Sequence, residues 1–235
     1  LTEFFQAEML RRLMNSLIVY ACRLCVGTVL ALFFSYYIYK EFVGSKFFRY
    51  MLMLPAFISP VVLVMIYMYV VDRAIPALFQ TPSAFAGTAG MQLFVVILYQ
   101  TFAGFGMGVL MYSNAMSRVP VSVIEYGKLE GISPIREFFS IVLPLIYPTL
   151  ETFLIIGLSA VFTDQANLFT FFNENASYPI QTIGYWLYKE VFSSKATMSS
   201  YPYMSAAGLV FTAITIPIVM IARYFLNKLD KEVEF

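Results

Sequence analysis

The 235-residue chain has no histidine, and only 12% of its residues are charged. The first absence removes Ser-His and Cys-His nucleophile pairs, His-bearing zinc sites and haem held by a His axial ligand. The second leaves about half the charge of an average soluble domain, which is roughly 25% charged, so a water-facing surface of this size would be poorly covered. Basic and acidic residues nearly cancel, 15 against 14. A net charge of +1 gives no field for nucleic acid, and no such partner is expected. Cysteine is as scarce: Cys22 and Cys25 are the only two. Their C-x-x-C spacing lies in an apolar run, where it reads as two small residues one turn apart on a helix rather than as a redox or metal pair. No catalytic residue and no metal site are expected.

What the chain does contain is 60% hydrophobic residues, including 24 Phe, 17 Tyr and 13 Met. A bilayer core about 30 Å thick takes about 20 apolar residues in a helix. Five runs satisfy this, at about 15–39, 51–71, 91–112, 141–163 and 201–226. The expected fold is therefore all-α, a single polytopic membrane helix bundle of five spans, and one more helix before Leu1 would make six. No signal peptide opens the sequence, and the first fourteen residues read as an amphipathic or extramembrane lead-in. Polar stretches at 113–140 and 164–200 separate the last three spans.

Basic residues orient the bundle. With the third span ending inside, the inner segments hold nine: Lys40, Lys46 and Arg49, then Arg118, Lys128 and Arg136, then Arg223, Lys228 and Lys231. The outer segments hold five, Arg11, Arg12, Arg73, Lys189 and Lys195, and Arg23 falls within a span. The N-terminus is thus expected outside and the C-terminus inside. Pro55, Pro60, Pro144, Pro148 and Pro217 lie in spans and predict bent helices, which suit a bundle enclosing a cavity. Gly104, Gly106 and Gly108 thin the third span and predict close helix packing.

The inner stretch 113–140 carries the most informative pattern. Pro120 precedes a short amphipathic segment containing Glu125, Tyr126 and Gly127; Gly131 breaks it; and Ile132 and Ser133 lead to a second short piece that Pro144 delivers into the next span. Glu125, a Gly six positions later, and Ile141, Leu143 and Pro144 from ten positions beyond that Gly, resemble the EAA loop of ABC importer permeases. Two alanines of that pattern are Tyr126 and Gly127 here, a departure that bears on the docking surface. Similarity extends along the chain to sugar importer permeases of the maltose-transporter type, in Asn15-Ser16-Leu17, Leu54-Pro55, Ser59-Pro60, Gln181-Thr182-Ile183-Gly184-Tyr185 and Tyr203-Met204-Ser205-Ala206-Ala207-Gly208. Within that group Tyr178-Pro179-Ile180-Gln181-Thr182 looks most like the oligo- and polysaccharide-uptake branch.

The resemblance implies a transport subunit of the bacterial cytoplasmic membrane rather than an enzyme. It implies a second homologous permease, a cytoplasmic ABC ATPase dimer and an external substrate-binding protein as partners, with lipid around the spans and carbohydrate as cargo. ATP and Mg would be bound by the ATPase, leaving no cofactor in this chain. Glu125, Tyr126, Gly127, Gly131, Ile132 and Ser133 would couple to the ATPase. A permease for a non-sugar solute such as peptide, phosphate or amino acid is the alternative, since the loop is shared among those. Gly157-Leu158-Ser159-Ala160 has the Gly-x-Ser spacing of an intramembrane protease, but without histidine it has no dyad.

Residues for the substrate path are harder to place. Charge within a span signals function by default, which singles out Arg23 and Glu151. Counted along their spans they differ in depth by about 6 Å at about 1.5 Å per residue. They could form a mutual ion pair or both line a polar cavity. Asp164, Gln165 and Asn167, where the fourth span breaks, and Tyr185 and Trp186 downstream, could contact sugar or binding protein, or could form an ordinary capped outer loop.

Overall fold

The computed structural model describes residues 7–192 and 200–229, so Lys195 and Lys231 lie outside the described residues. Among these the chain is helical and contains no strand, the all-α bundle expected. Four helices are long and apolar enough to cross a membrane, Glu8–Tyr39, Pro60–Phe79, Ala89–Met116 and Tyr201–Lys228, and a bent pair raises the number to five.

The first span is built from α1 (Ala7–Cys22) and α2 (Val29–Tyr39), joined by a π-helical stretch at Arg23–Thr28. Such insertions widen the helix locally and recur at functional positions. α3 (Ser45–Phe57) is separate from the second span, which corrects the expected range of 51–71. The cause is Pro60: it sits in the first turn of α4 (Pro60–Tyr69) and leaves Ser59 extended at φ −53°, ψ 132°, so α3 cannot run through. α4 continues through a π-helical stretch, Val70–Ala74, into α5 (Ile75–Phe79). α6 (Ala89–Met116) is an unbroken third span, capped by the Thr88 hydroxyl, which accepts from the Met91 amide at 3.4 Å.

The inner loop forms α7 (Val121–Leu129) and α8 (Pro134–Glu137). A π-helical stretch, Phe138–Val142, and α9 (Leu143–Leu145) lead to α10 (Tyr147–Ser159). The pair Pro134–Leu145 and Tyr147–Ser159 is bent by 69° at Ile146. The expected fourth span at 141–163 is therefore two pieces meeting at an angle. Pro148, which has no amide hydrogen to donate back, lies in the first turn of α10 just past the bend. Three short outer elements follow: α11 (Leu168–Phe172), a 3₁₀ turn at Tyr178–Ile180, and α12 (Ile183–Phe192). α13 (Ser200–Leu229) is the last span and keeps Pro217 within it.

Three buried clusters hold these helices together. The inner one packs Leu32, Tyr36, Tyr112 and Met116 from two spans against Ile124, Phe138, Val142 and Ile146 of the loop region. An outer one joins Val64, Val96 and Tyr99 to Leu168, Phe171, Ile180 and Tyr185. The third sets Met9, Phe162, Ile183 and Trp186 against Met204 and Phe211 of α13. Large apolar side chains such as Phe57, Leu209, Met220 and Tyr224 remain exposed on the outside of the bundle. That distribution suits a hydrocarbon solvent and would be unfavourable in water.

Candidate coupling loop and translocation groove

α7 buries Ile124 and Gly127 and turns Val121, Glu125, Tyr126 and Leu129 outward. The inward residue explains one departure from the family pattern. A Cβ on Gly127 would lie 3.0 Å from Ile141 Cδ1, so the helix rides close over the chain that follows it. Tyr126, the other departure, points away from the bundle, where Glu130 accepts from its hydroxyl and holds the phenol above its ordinary pKa.

The turn after α7 is a Schellman motif. The Ile132 amide donates to Gly127 O at 3.1 Å and the Gly131 amide to Lys128 O at 3.0 Å. This closure needs a left-handed residue, and Gly131 supplies it at φ +70° with nothing within 4 Å of where a Cβ would be. Its requirement is thus conformational rather than steric. Ser133 then caps α8, its hydroxyl accepting from the Arg136 amide at 3.4 Å. Gly131 and Ser133 therefore shape an exposed helix-turn-helix, with Glu125 on its outward ridge.

A groove of about 370 Å³ runs between the first span, α6 and α10. Its lining mixes the polar groups of Arg23, Thr28, Gln100 and Thr101 with the rings of Phe105 and Tyr112. Gly104 and Gly108 face it two positions either side of Gly106, while Gly106 faces α3, where a Cβ would come within 2.1 Å of Leu52 O. The three glycines thus serve two faces: one opens the groove and the other brings backbones together.

Arg23 and Asp164 are brought together, with Arg23 Nη1 2.9 Å from Asp164 Oδ2 and both side chains partly exposed. This corrects the pairing of Arg23 with Glu151. Glu151 lies in the second turn of α10, six residues before Gly157, which packs on Arg23, and near the inner end of α13, where its carboxylate assigns the Asn227 amide with the nitrogen turned toward it. Arg23 instead meets the chain beyond the end of α10 at Ser159, which a count along one uninterrupted helix does not anticipate.

Asp164 also fixes the outer chain, since its Oδ1 accepts from the Ala166 amide at 2.8 Å. Ala166 and Asn167 are both left-handed at φ 53°, an uncommon run for residues with a Cβ. Gly184 packs directly on Asp164: a Cβ there would be 2.5 Å from its carbonyl carbon. Gln165 Oε1 is buried with no hydrogen-bond partner among the described residues.

Tyr185 does not offer a face for stacking. It is fully buried, donates to Asn173 O at 2.8 Å and accepts from the Ala176 amide at 3.3 Å. Trp186 is likewise buried, under the Arg12 guanidinium 5.5 Å from its ring centre. These two residues hold the outer loop in place.

Several polar residues that sequence reading passed over do structural work at both ends. Outside, Asn15 donates to Pro179 O and Gln181 O, both at 2.9 Å, Arg12 donates to Gln181 Oε1 at 3.1 Å, and the Ser16 hydroxyl accepts from the Ile183 amide at 3.0 Å. Inside, Glu137 is buried at 3% exposure and accepts from Lys40 Nζ at 2.8 and 3.0 Å and from the Tyr36 hydroxyl at 3.1 Å. The charge count uses Lys40 only as a topogenic residue, and the loop pattern does not single out Glu137. An acid next to an apolar run, with a base at the end of another span, was the available signal.

A polytopic helical bundle with an exposed inner helix-turn-helix, and a largely apolar groove between spans that a few polar side chains enter, suits a membrane transport component. The match to a family model over residues 24–234 makes the finer assignment: the chain belongs to the family of binding-protein-dependent transport system inner membrane components. It is similar to the sn-glycerol-3-phosphate transport system permease protein UgpA of Yersinia pestis bv. Antiqua (strain Antiqua), 24% identical over 212 residues, 86% of this chain and 70% of that one. UgpA of Escherichia coli (strain UTI89 / UPEC) is 26% identical over 211 residues with the same coverage. In fold it is similar to a chain of a bacterial ABC transporter involved in the import of the acidic polysaccharide alginate. The TM-score is 0.84 at 18% identity, covering 98% of this chain and 83% of that one. A second alginate transporter structure, in complex with an alginate pentasaccharide-bound periplasmic protein, gives 0.83 at 18% identity, with 98% and 82% covered.

Proposed function

We propose that this chain is one membrane-spanning subunit of an ATP-driven ABC importer that brings carbohydrate, an oligosaccharide, into the cell. The observation that carries the reading is the exposed ridge of α7 followed by the Gly131 turn: a rigid, unpartnered helix at the inner end of the bundle, in a chain whose family depends on a binding protein. Such a helix can seat in a cleft of a cytoplasmic ATPase subunit. A second permease completes the pore, an external binding protein delivers the cargo, and ATP with Mg is bound by the ATPase dimer. Glu125, Tyr126, Gly127, Gly131, Ile132 and Ser133 form the coupling element, with Glu125 orienting it through its exposed carboxylate.

The residues assign a division of labour. The loop transmits motion because it is continuous with α10 through Ile146 and shares the inner cluster with the first span and α6. Movement of that cluster changes the groove, whose polar groups suit hydroxyl-rich cargo and whose rings offer stacking faces. Arg23 lines the groove and pairs with Asp164 outside that lining; both are assigned to the substrate path, with Gln165 and Asn167 close by in the chain. Glu151 is held at the other end by Asn227 and serves packing.

A second reading, an anionic cargo that need not be a sugar, is favoured by the Arg23 guanidinium on the groove wall, which an anion could share with Asp164, and by relatives named for sn-glycerol 3-phosphate and for acidic alginate. Uptake into a strain deleted for the transporter distinguishes them, with radiolabelled neutral maltooligosaccharide, alginate oligosaccharide and sn-glycerol 3-phosphate as probes. Saturable uptake of an oligosaccharide supports the first reading. Uptake of sn-glycerol 3-phosphate alone replaces it with the second, and loss of binding-protein-stimulated ATPase activity from the purified complex refutes both.

A further inference from the structure

The Glu137 carboxylate is nearly inaccessible and lies where α8 passes into the π-helical stretch Phe138–Val142, on the path from coupling loop to membrane. Both of its oxygens accept from Lys40 Nζ, at 2.8 and 3.0 Å, and Oε1 also faces the Tyr36 hydroxyl at 3.1 Å. The same hydroxyl lies 2.9 Å from Pro134 O, at the start of α8. Tyr36 stands in the last turn of the first span and Lys40 is the residue that ends it. The first span and the loop's second helix are 97 or more residues apart in sequence, yet share a set of directed polar contacts at the inner membrane surface.

Two routes lead from the loop to the groove. One is covalent, through α9 into α10, and it turns 69° at Ile146. The other crosses from Glu137 to Lys40 and enters the first span, which carries Arg23 in its π-helical stretch and forms one wall of the groove. Apolar contacts in the inner cluster resist separation but permit sliding. A nearly inaccessible carboxylate held by an ammonium, with one hydroxyl shared between it and Pro134 O, has direction, because shear lengthens those hydrogen bonds.

We propose that Lys40, Glu137 and Tyr36 form a clamp that makes the first span follow the coupling loop, so that ATPase closure moves two groove walls together. They are positioning residues: they touch neither ATP nor cargo. The assignment rests on the importer reading above.

Replacing a buried ion pair by apolar residues of similar volume often preserves stability, which separates a mechanical role from a structural one. The test uses the full complex of both permeases, ATPase and binding protein in lipid nanodiscs, with Cys22 and Cys25 replaced by Ser. Spin labels at Leu10→Cys and Met91→Cys, exposed positions near the outer ends of the first span and α6, report the distance between those helices before and after ATP-vanadate trapping. The unmodified complex is expected to show a shift. Lys40→Met with Glu137→Leu should assemble and melt as the parent does, yet lose the shift. Uptake should fall at least tenfold while binding-protein-stimulated ATP hydrolysis stays within threefold of the parent.

Tyr36→Phe, which removes one hydroxyl and leaves the ring in the core, should give a partial loss of the shift. The swap of Lys40→Glu with Glu137→Lys should restore it. An intact shift and parental uptake in the apolar double variant would overturn the clamp while leaving the importer reading standing. So would equal loss of ATPase and uptake in Tyr36→Phe. Absence of any stimulated ATPase in the unmodified complex would overturn the importer reading and the clamp with it.

Discussion

Gly106→Ala tests how closely α3 and α6 approach. A Cβ at Gly106 would stand 2.1 Å from Leu52 O and 3.1 Å from Leu52 C, both backbone atoms that no rotamer can move. Ordinary contact begins at 3.4 Å, so α3 must retreat by about 1.3 Å, the difference between the two distances. Such a shift strips dispersion contacts from neighbouring turns, and overpacking of this kind costs about 1–3 kcal/mol. At about 2–4 °C per kcal/mol for a chain of this size, the melting temperature of the purified complex should fall by roughly 2–12 °C, read by tryptophan or dye fluorescence. Gly104→Ala is the internal control: it lies half a turn away on the same helix, with nothing within 4 Å of the new methyl group, and should melt within about 0.5 kcal/mol of the parent. Gly208→Ala, also in open space, is a second control on α13. If Gly106→Ala and Gly104→Ala melted alike, the close crossing of α3 and α6 would be refuted.

Gly131→Val should leave membrane insertion unchanged and abolish uptake, because a β-branched residue at φ +70° opposes the Schellman closure, at a cost of about 1–3 kcal/mol; Gly131→Asn, which tolerates that conformation, should keep most uptake, and equal loss in both would argue against a conformational role. Arg23→Asp should impair uptake, and adding Asp164→Arg should recover part of it, whereas adding Glu151→Arg should recover none; the pair is half exposed, so its direct contribution is only about 1 kcal/mol and uptake is the sensitive readout. Tyr185→Phe removes the hydroxyl that donates to Asn173 O and leaves the amide of buried Ala176 without its acceptor, and should destabilise the outer loop by about 1–3 kcal/mol, visible as faster local hydrogen exchange over 173–185. Unchanged exchange there would mean that the loop is held without the Tyr185 hydroxyl.

The fold class and the inner helix-turn-helix were legible in the sequence for a definite reason. Apolar runs of membrane length are a one-dimensional signal, and the turn at Gly131 depends on local chemistry alone. Breaks were read less well. Pro55 and Pro60 were both visible, but only one ends its helix: Pro55 stays inside α3, whereas Pro60 starts α4 and turns Ser59 extended. Missing that distinction displaced the second span by about two turns. The fourth span shows the larger consequence. Treating 141–163 as one straight rod put Glu151 near the depth of Arg23, but the helix ends at Ser159 and Arg23 meets Asp164 beyond that end, while Glu151 lies at the opposite end of α10 beside Asn227. Tyr185 failed for another reason: an aromatic beside polar residues looks like a stacking platform, but burial belongs to the tertiary structure, and its hydroxyl was needed by Asn173.

The chain's few charges gain meaning from this. In a protein that is 12% charged, each buried carboxylate needs a donor, and the donor chosen sets what is tied to what. Asp164 ties the outer loop to the π-helical stretch of the first span through Arg23. Glu137 ties the coupling loop to the inner end of that same span through Lys40. Glu151 ties α10 to α13 through Asn227, away from the groove. Two of the three ties converge on one helix, at its middle and at its inner end, and that helix walls the groove. Apolar packing would have sufficed to hold the bundle together. Directed pairs at those two points instead tie the first span to both ends of the molecule, to the outer loop on one side and to the inner helix-turn-helix on the other.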